Sequence, residues 1–553
     1  MPKPAIQQLR KEECTPTRVL VIENSREVAE ELQALFDANY HCEIVVGSGR
    51  QVVEQAIQFA QTFRPHVAIV DLRIGGSPRL DAGRKSDKLG MELLLHLADA
   101  KCILRSAYLS RDDTRMAWRQ FGAFDAIRSD ADWEEQMGVV ANAASKVRPC
   151  LNGFRTDWLN DDCSPHLIVK TLFEHRVQED LVEDVIGLLL PETSMVKIDR
   201  LDDAILTSGS IARGRSIVLR VWKNNQLQPA VIKIAPRTKI LEEASNYRTF
   251  IHGNLQGHFH SILEGEPQTR WDIGGICYTF LGAPSGGPEK FATRFRRTAN
   301  ISQLLKPLTH FFEKVWQPLY TDTRVLNRSL FRAYDEAFGL TNRLCNYPNQ
   351  AETLHFPGVP TPLPNPIVWL NRRAEASYLP GMKQSRTHGD LHADNLFVSD
   401  EHAWAIDFGR SGWGHILRDF VELEIDVITR LVDWPGDSFM RLFRLTTFLM
   451  QENHDQLPNS LVDHPASEQT FLLINALRKV AKELTRYVDF REYLWGLLLD
   501  AVFVATFDST ERHRSAQREN ALLMAAVIAN RLEYGDNRWP PDDWPVCYYP
   551  TGC

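Results

Sequence analysis

The sequence lacks the features that would commit it to several common classes. Its nine cysteines run from Cys14 to Cys553 with no CxxC pair and no histidine at ligand spacing. That pattern excludes a disulfide framework and a zinc site, and reduced thiols in a cytoplasmic protein are the expectation. Long hydrophobic runs are missing too. The most apolar stretch, Tyr493 to Phe507, is interrupted by Asp500 and is too short to cross a bilayer. The N-terminal segment has no apolar core of the kind a secretion signal carries, so no membrane partner is expected. Positive charge is not in excess. A net charge of -8 argues against a general nucleic-acid partner, because phosphate contact needs a basic surface. The cluster Arg294, Arg296 and Arg297 reads as a solvated helix face. Heptads, internal repeats and a helix-turn-helix pattern are all absent.

What remains is a globular composition, 44% hydrophobic and 24% charged, on a chain too long for one ordinary domain. In the first part, short β-branched runs alternate with amphipathic stretches. Arg18–Ile22, Cys42–Val46, His66–Val70, Cys102–Ser106 and Phe124–Ile127 read as strands. Helical spacing links Val28, Leu32, Leu35 and Phe36, and again Val53, Ala56, Ile57, Ala60 and Phe63. Further helices are expected near Met91–Leu97, Thr114–Phe121 and from Asp132. Strands alternating with helices predict a doubly wound parallel sheet whose site lies off the strands' carboxyl ends. Those ends carry Glu23-Asn24, Asp71 and Ser106-Ala107. Two carboxylates meeting there repel unless a proton or a divalent cation joins them, and hard oxygen ligands suit Mg²⁺. A carboxylate beside such an ion can accept a phosphoryl group.

These strand ends resemble the receiver domain of response regulators, over residues 17–146. The resemblance implies Asp71 as phosphoacceptor, Glu23 as an acidic metal ligand and Ser106 as the hydroxyl that senses the phosphoryl group. It also implies a sensor histidine kinase as phosphodonor. The sequence departs from the family at the second acidic position, which is Asn24, and at the lysine position, which is Ser129 with Arg128 beside it as a substitute cation. The loop from Gly75 to Lys88 is expanded as well.

Residues 147–170 read as a linker, with Pro149, Asn152, Gly153 and Asp161-Asp162 breaking periodicity. A lead-in helix through Leu188–Leu190 opens a small lobe over residues 171–283. Its strands Met195–Ile198, Ile217–Trp222 and Val231–Ile234 accompany a turn holding Gly209, Ser210 and Gly214. A glycine loop leaves backbone N–H groups free for phosphates, and a lysine on the next strand, Lys233, could reach them. Downstream lies His388-Gly-Asp-Leu-His-Ala-Asp-Asn395, then the strand Ala403–Ile406 and Asp407-Phe-Gly409. Phosphoryl transfer needs a carboxylate to orient the acceptor hydroxyl and oxygen ligands to hold Mg²⁺. Asp390, Asn395 and Asp407 bring those oxygens into one short region.

HGDxHxxN followed by IDFG resembles the choline and aminoglycoside phosphotransferases, a branch of the protein-kinase-like fold, from about Val196 to at least Asp419. The resemblance implies ATP and Mg²⁺ as cofactors, Asp390 as catalytic base, and Asn395 and Asp407 as metal ligands. Lys233 would meet the nucleotide phosphates, partnered by Glu243 or by the neighbouring Glu242. Cys277–Gly282 would border the adenine and Asp419 would brace the catalytic loop, with His388 and His392 as loop-bracing hydrogen-bonders. Residues 284–553 would form a helical C-lobe with the catalytic loop at 388–395 and the metal-binding segment at 407–409. The aromatic tail from Trp539 to Tyr549 would pack on that lobe. The expected architecture is an α/β doubly wound receiver plus an α+β two-lobed kinase-like domain. Its expected activity is ATP-dependent transfer to a hydroxyl of a small molecule or protein, controlled by the receiver. The competing expectation is a non-catalytic nucleotide-binding pseudokinase scaffold with a degenerate receiver.

Overall fold

The computed structural model describes residues 14–74, 89–107, 109–160, 163–174, 176–200, 216–224, 226, 228–255, 263–279, 289–434, 438–451, 465–507 and 515–535. The chain divides into two compact units. One comprises Met1–Asp203, Gly214–Leu241 and Glu264–Tyr278, the other Ala204–Arg213, Glu242–Leu263 and Thr279–Cys553.

The first unit begins with β1 (Arg18–Glu23), α1 (Arg26–Asp37), β2 (His41–Val46), α2 (Arg50–Phe63) and β3 (Val67–Asp71). It continues with α3 (Leu89–His96), β4 (Lys101–Ser106), α4 (Arg111–Gln120), β5 (Asp125–Arg128) and α5 (Trp133–Ser145). The strands pair in parallel in the order β2-β1-β3-β4-β5. Every residue of β1 and β3 is buried, which is what a sheet covered by helices on both faces demands. Val19, Val21, Ile69 and Ile103 form its core with Leu32, Phe36 and Val140. This is the receiver strand order, and it gathers the carboxyl ends of the central strands at one edge.

A second sheet in the same unit has the order β10-β11-β9-β8-β7-β6. It consists of β6 (Arg155–Trp158), β7 (Met195–Arg200), β8 (Ile217–Lys223), β9 (Ala230–Pro236), β10 (Leu263–Arg270) and β11 (Ile273–Thr279). The stretch read as a linker is ordered here: β6 pairs in parallel with β7, and α6 (Pro165–Phe173) follows. A further helix, α7 (Asp180–Leu189), packs its Val185 and Leu189 against the sheet at Gly275, where no side chain fits. The expectation of wholly reduced cysteines also needs correction, since Cys14 and Cys150 are joined, with Cα atoms 6.2 Å apart. The remaining cysteines of the described residues are free thiols, most of them buried.

The receiver meets this second sheet through the amino ends of its strands. Arg18, at the start of β1, donates to Asp180 of α7 at 2.7 Å. His66, one residue before β3, lies 3.4 Å from both Asp180 and Asp184. Arg148 closes the cluster at 3.3 Å from Asp184. Around it, Arg64 pairs with Asp272, Arg237 with Asp99, and the Trp271 indole donates to Pro65 O at 3.3 Å. Burial alone would raise the Asp180 pKa. The hydrogen bond from His66 and the charges of Arg18 and Arg148 outweigh it and hold the carboxylate below its ordinary range. Burial lowers the His66 pKa, so the imidazole is neutral at neutral pH.

The second unit is mainly helical. Segments between Phe291 and Cys345 are followed by the small strands β12 (Lys383–Thr387), β13 (Leu396–Val398), β14 (Ala403–Ala405) and β15 (Gly412–His415). Four helices build its base: α8 (Arg418–Asp426), α9 (Pro465–Thr485), α10 (Phe490–Ala505) and α11 (Ser515–Tyr534). Arg294 turns inward rather than to solvent and pairs with Glu289 and Asp400, while Arg296 and Arg297 stay exposed. Asp500, which interrupts the apolar stretch, is buried within α10. No helix among the described residues is long and apolar enough to cross a membrane. The doubly wound parallel sheet expected from sequence is the one observed, and the second unit is mainly helical, as expected.

Removing one partner of a buried ion pair strands the other charge. Asp180→Ala therefore is expected to destabilise the first unit by roughly 3–5 kcal/mol. Urea unfolding followed by tryptophan fluorescence checks this, and an unchanged midpoint would show that the cluster is dispensable.

Candidate active site

The segment His388–Asn395 leaves β12 and returns to β13, so its backbone runs through the interior of the second unit. Buried N–H groups need acceptors, and α8 supplies them. Asp419 accepts from the amides of His388 and Gly389, each at 3.0 Å. Glu422 accepts from Leu391 N at 2.8 Å, and Asp426 from Ala393 N at 2.9 Å. Spacings of three and seven residues put these carboxylates on one helix face, a ladder matched to successive amides of the loop. Asp419 also accepts from the Trp316 indole at 3.1 Å and the Tyr320 hydroxyl at 3.0 Å. Gly389 has φ +76, and a Cβ there would lie 2.3 Å from Arg410 O, so only glycine fits.

The ladder holds the chemistry-bearing side chains in place. Asn395 donates its Nδ2 to Asp390 O at 2.9 Å. Asp407 adopts φ +65, and Gly409 N donates to its Oδ1 at 3.5 Å. Asp390 is half-buried, with Arg410 Nη1 3.4 Å from its Oδ1. Burial alone would raise the Asp390 pKa; Arg410 and His392 overcome it, and the carboxylate sits below its ordinary range. His388 Nε2 donates to Ile406 O at 2.9 Å, and burial lowers its pKa. The neutral ring braces the loop. His392 Nδ1 accepts from Asp394 N at 3.3 Å.

Lys233 is buried on β9, opposite Val218 of β8. Glu243 is buried while Glu242 is exposed. The Glu243 carboxylate lies alongside Gly409, as does that of Asp407. Gly209, Ser210 and Gly214, the loop Gly75–Lys88, the hinge end Phe280–Gly282 and the aromatic tail fall outside the described residues. Sequence reasoning anticipated Asp419 but missed Glu422 and Asp426. Their signal was the acidic spacing within Arg418–Asp426, a helix whose every residue is buried.

At the receiver edge, Glu23, Asp71 and Ser106 are all buried where the central strands end. The expected substitute cation, Arg128, instead pairs with Asp130 in solvent at 2.7 Å. Arg105, on β4, fills that role: its Nη1 is 3.0 Å from Glu23 Oε2 and its Nη2 donates to Ser129 O at 3.4 Å. Burial and the Glu23 charge push Asp71 up to about 6, against the pull of Arg105 and Arg73.

The chain matches the family of ternary complex associated domain 9 over residues 343–503, the span that holds the loop 388–395 and its bracing helix. No curated protein matches it. Among solved structures it is similar to an amicoumacin kinase in complex with AMP-PNP, Ca²⁺ and Ami, 13% identical over 64% of this chain and 94% of that one, TM-score 0.35. It is also similar to an ethanolamine kinase of Plasmodium vivax, 12% identical over 63% and 89%, TM-score 0.37. A CheY-like response regulator of Mesorhizobium loti is 17% identical over 23% and 99%, TM-score 0.17.

The amide ladder has a direct readout. Asp426→Ala removes the acceptor of Ala393 N, and about 1–2 kcal/mol of lost protection corresponds to roughly tenfold faster amide exchange. Hydrogen-exchange mass spectrometry of the peptide spanning 388–395 measures it, and unchanged exchange would refute the bracing role.

Proposed function

We propose that the chain is an ATP- and Mg²⁺-dependent phosphotransferase acting on a hydroxyl acceptor, with the receiver as its regulatory part. The observation that supports it best is a loop carrying Asp390 and Asn395, held by its own carboxylate ladder, with Ile406 N, next to Asp407, donating to Asn395 O at 3.0 Å. The donor set consists of hard oxygens, which suits Mg²⁺. Asn395 Oδ1 and Asp407 would hold the ion, which when bound neutralises phosphate charge. Lys233 is the proposed contact to the nucleotide phosphates.

The proton step belongs to Asp390. Its Oδ1 is engaged by Arg410, so Oδ2 would take the proton of the acceptor hydroxyl. His388 is kept out of this step, because its Nε2 proton is committed to a backbone carbonyl and its ring is neutral. In the regulatory part, Asp71 would accept a phosphoryl group from a sensor histidine kinase. A phosphoryl charge there would bias the first unit between two states.

Removing a general base typically lowers turnover by about 10²–10⁴-fold. Asp390→Ala is expected to lose ATP turnover on that scale, and rates equal to the parent chain would favour the scaffold alternative. Because Arg410 holds Asp390 low, the carboxylate stays ionised down to pH values below the ordinary carboxylate range. Arg410→Ala raises that pKa, so the acid limb of the turnover profile should move to higher pH. A limb that stays in place would mean Asp390 is not the titrating base.

A further inference from the structure

The receiver fold implies a divalent cation at the acidic edge, and the residues present there do not fit one. A hard cation needs several oxygens with lone pairs directed at it. Both Glu23 oxygens are already engaged: Oε2 is bound by Arg105 at 3.0 Å and Oε1 accepts Asn24 N at 3.0 Å. The neighbouring carbonyl of Arg73 accepts the Asn24 amide, Nδ2, at 3.2 Å. Where the second acid of the family would add a negative charge, Asn24 supplies an N–H donor. The cation is therefore already there, as part of the chain.

We propose that Arg105 is the resident counter-ion of this site, and that the receiver works without a divalent cation. Several observations converge on it. The Arg105 and Glu23 side chains are only 11% and 6% exposed, so water does not screen their attraction as it would at a surface. Arg105 is fixed on a central strand, with Arg105 opposite Ile127 and Ser106 opposite Arg128 of β5, and its second arm is tied to Ser129 O. An added ion would have to displace a guanidinium from a buried carboxylate and leave that guanidinium unpaired, a costly arrangement. Arg105 also faces Asp71 electrostatically. A negative charge on that residue, whether its carboxylate or a group attached to it, thus meets a fixed positive partner. This inference does not depend on the phosphotransferase activity of the second unit.

The test uses the full chain without nucleotide and with Asp407→Asn, which removes a proposed metal ligand of the other unit. Mn²⁺ is the probe, and electron paramagnetic resonance of the free ion counts the bound ions. Glu23→Gln is expected to leave Mn²⁺ binding unchanged, because Glu23 binds none. Arg105→Ala combined with Asn24→Asp is expected to gain one ion, bound at least about tenfold more tightly than by the parent, the scale on which partners of metal ligands act. A parent chain that binds Mn²⁺ and loses it with Glu23→Gln overturns the proposal. So does a folded Arg105→Ala, Asn24→Asp chain that still binds none. Should that variant fail to fold, the Glu23→Gln comparison decides alone.

Discussion

A loop that performs chemistry must expose a few side chains while its backbone passes through the interior, and each buried amide then needs an acceptor. In this protein α8 meets that requirement with carboxylates rather than carbonyls. Asp419, Glu422 and Asp426 each take amides of the loop, and charge-assisted bonds of this kind are stronger than neutral ones. Burying acids has its own cost, and the helix offsets it locally. Arg418 pairs with Glu422 at 2.7 Å and Arg430 with Asp426 at 2.6 Å, while Glu424 is bound by Arg478 and by the Tyr493 hydroxyl. The positions of Asp390 and Asn395 follow from this frame, so the geometry of the loop depends on a helix whose every residue is buried.

In the first unit the same principle works at the junction between receiver and sheet. The central strands have a division of labour along their length. Their amino ends bring Arg18 and His66 to Asp180 and Asp184, and their carboxyl ends bring Glu23, Asp71 and Ser106 to the acidic edge. A buried strand is a stiff connection, with each residue fixed by hydrogen bonds on both sides. Any change of charge at one end is therefore applied to the same strands that carry the junction at the other. The junction is ionic and buried, which gives one strongly preferred register and little tolerance for sliding.

The parts of the fold that were legible in sequence are those governed by apolar pattern. Val19 to Ile22 and Val67 to Val70 are β-branched runs because both faces of the sheet are covered. The loop 388–395 stood out by its motif, HGDxHxxN, rather than by apolar pattern. What escaped was set by long-range pairing. Arg155–Trp158 becomes a strand only because β7 lies beside it, and nothing in Arg-Thr-Asp-Trp announces that. Cys14 and Cys150 are 136 residues apart, so their pairing has no local signature. Glu422 and Asp426 look like a solvated helix face, because charge at helical spacing usually marks the surface; only the arginines packed against them make burial tolerable. Arg105 was hidden for a related reason. A cation inside an apolar strand reads as an interruption until Glu23 is found across the sheet.

The two acidic centres show how similar residues acquire different properties from their counter-ions. Each combines an aspartate, an asparagine and an arginine. At Asp390 the arginine partner is 47% exposed and reaches only one carboxylate oxygen, at 3.4 Å. Solvent screening makes such a pair weak, so Arg410 is a loosely held partner of Asp390. At Glu23 the arginine is 11% exposed, lies at 3.0 Å and springs from a central strand. Withdrawing it means stranding two buried charges. One centre thus has a counter-ion held loosely at a half-exposed position. In the other the counter-ion is part of the core, and both Glu23 oxygens already accept from N–H donors. On physical grounds the first is open to exchange of ligands and the second is closed to metal ions. That difference follows from burial rather than from which residue types are present.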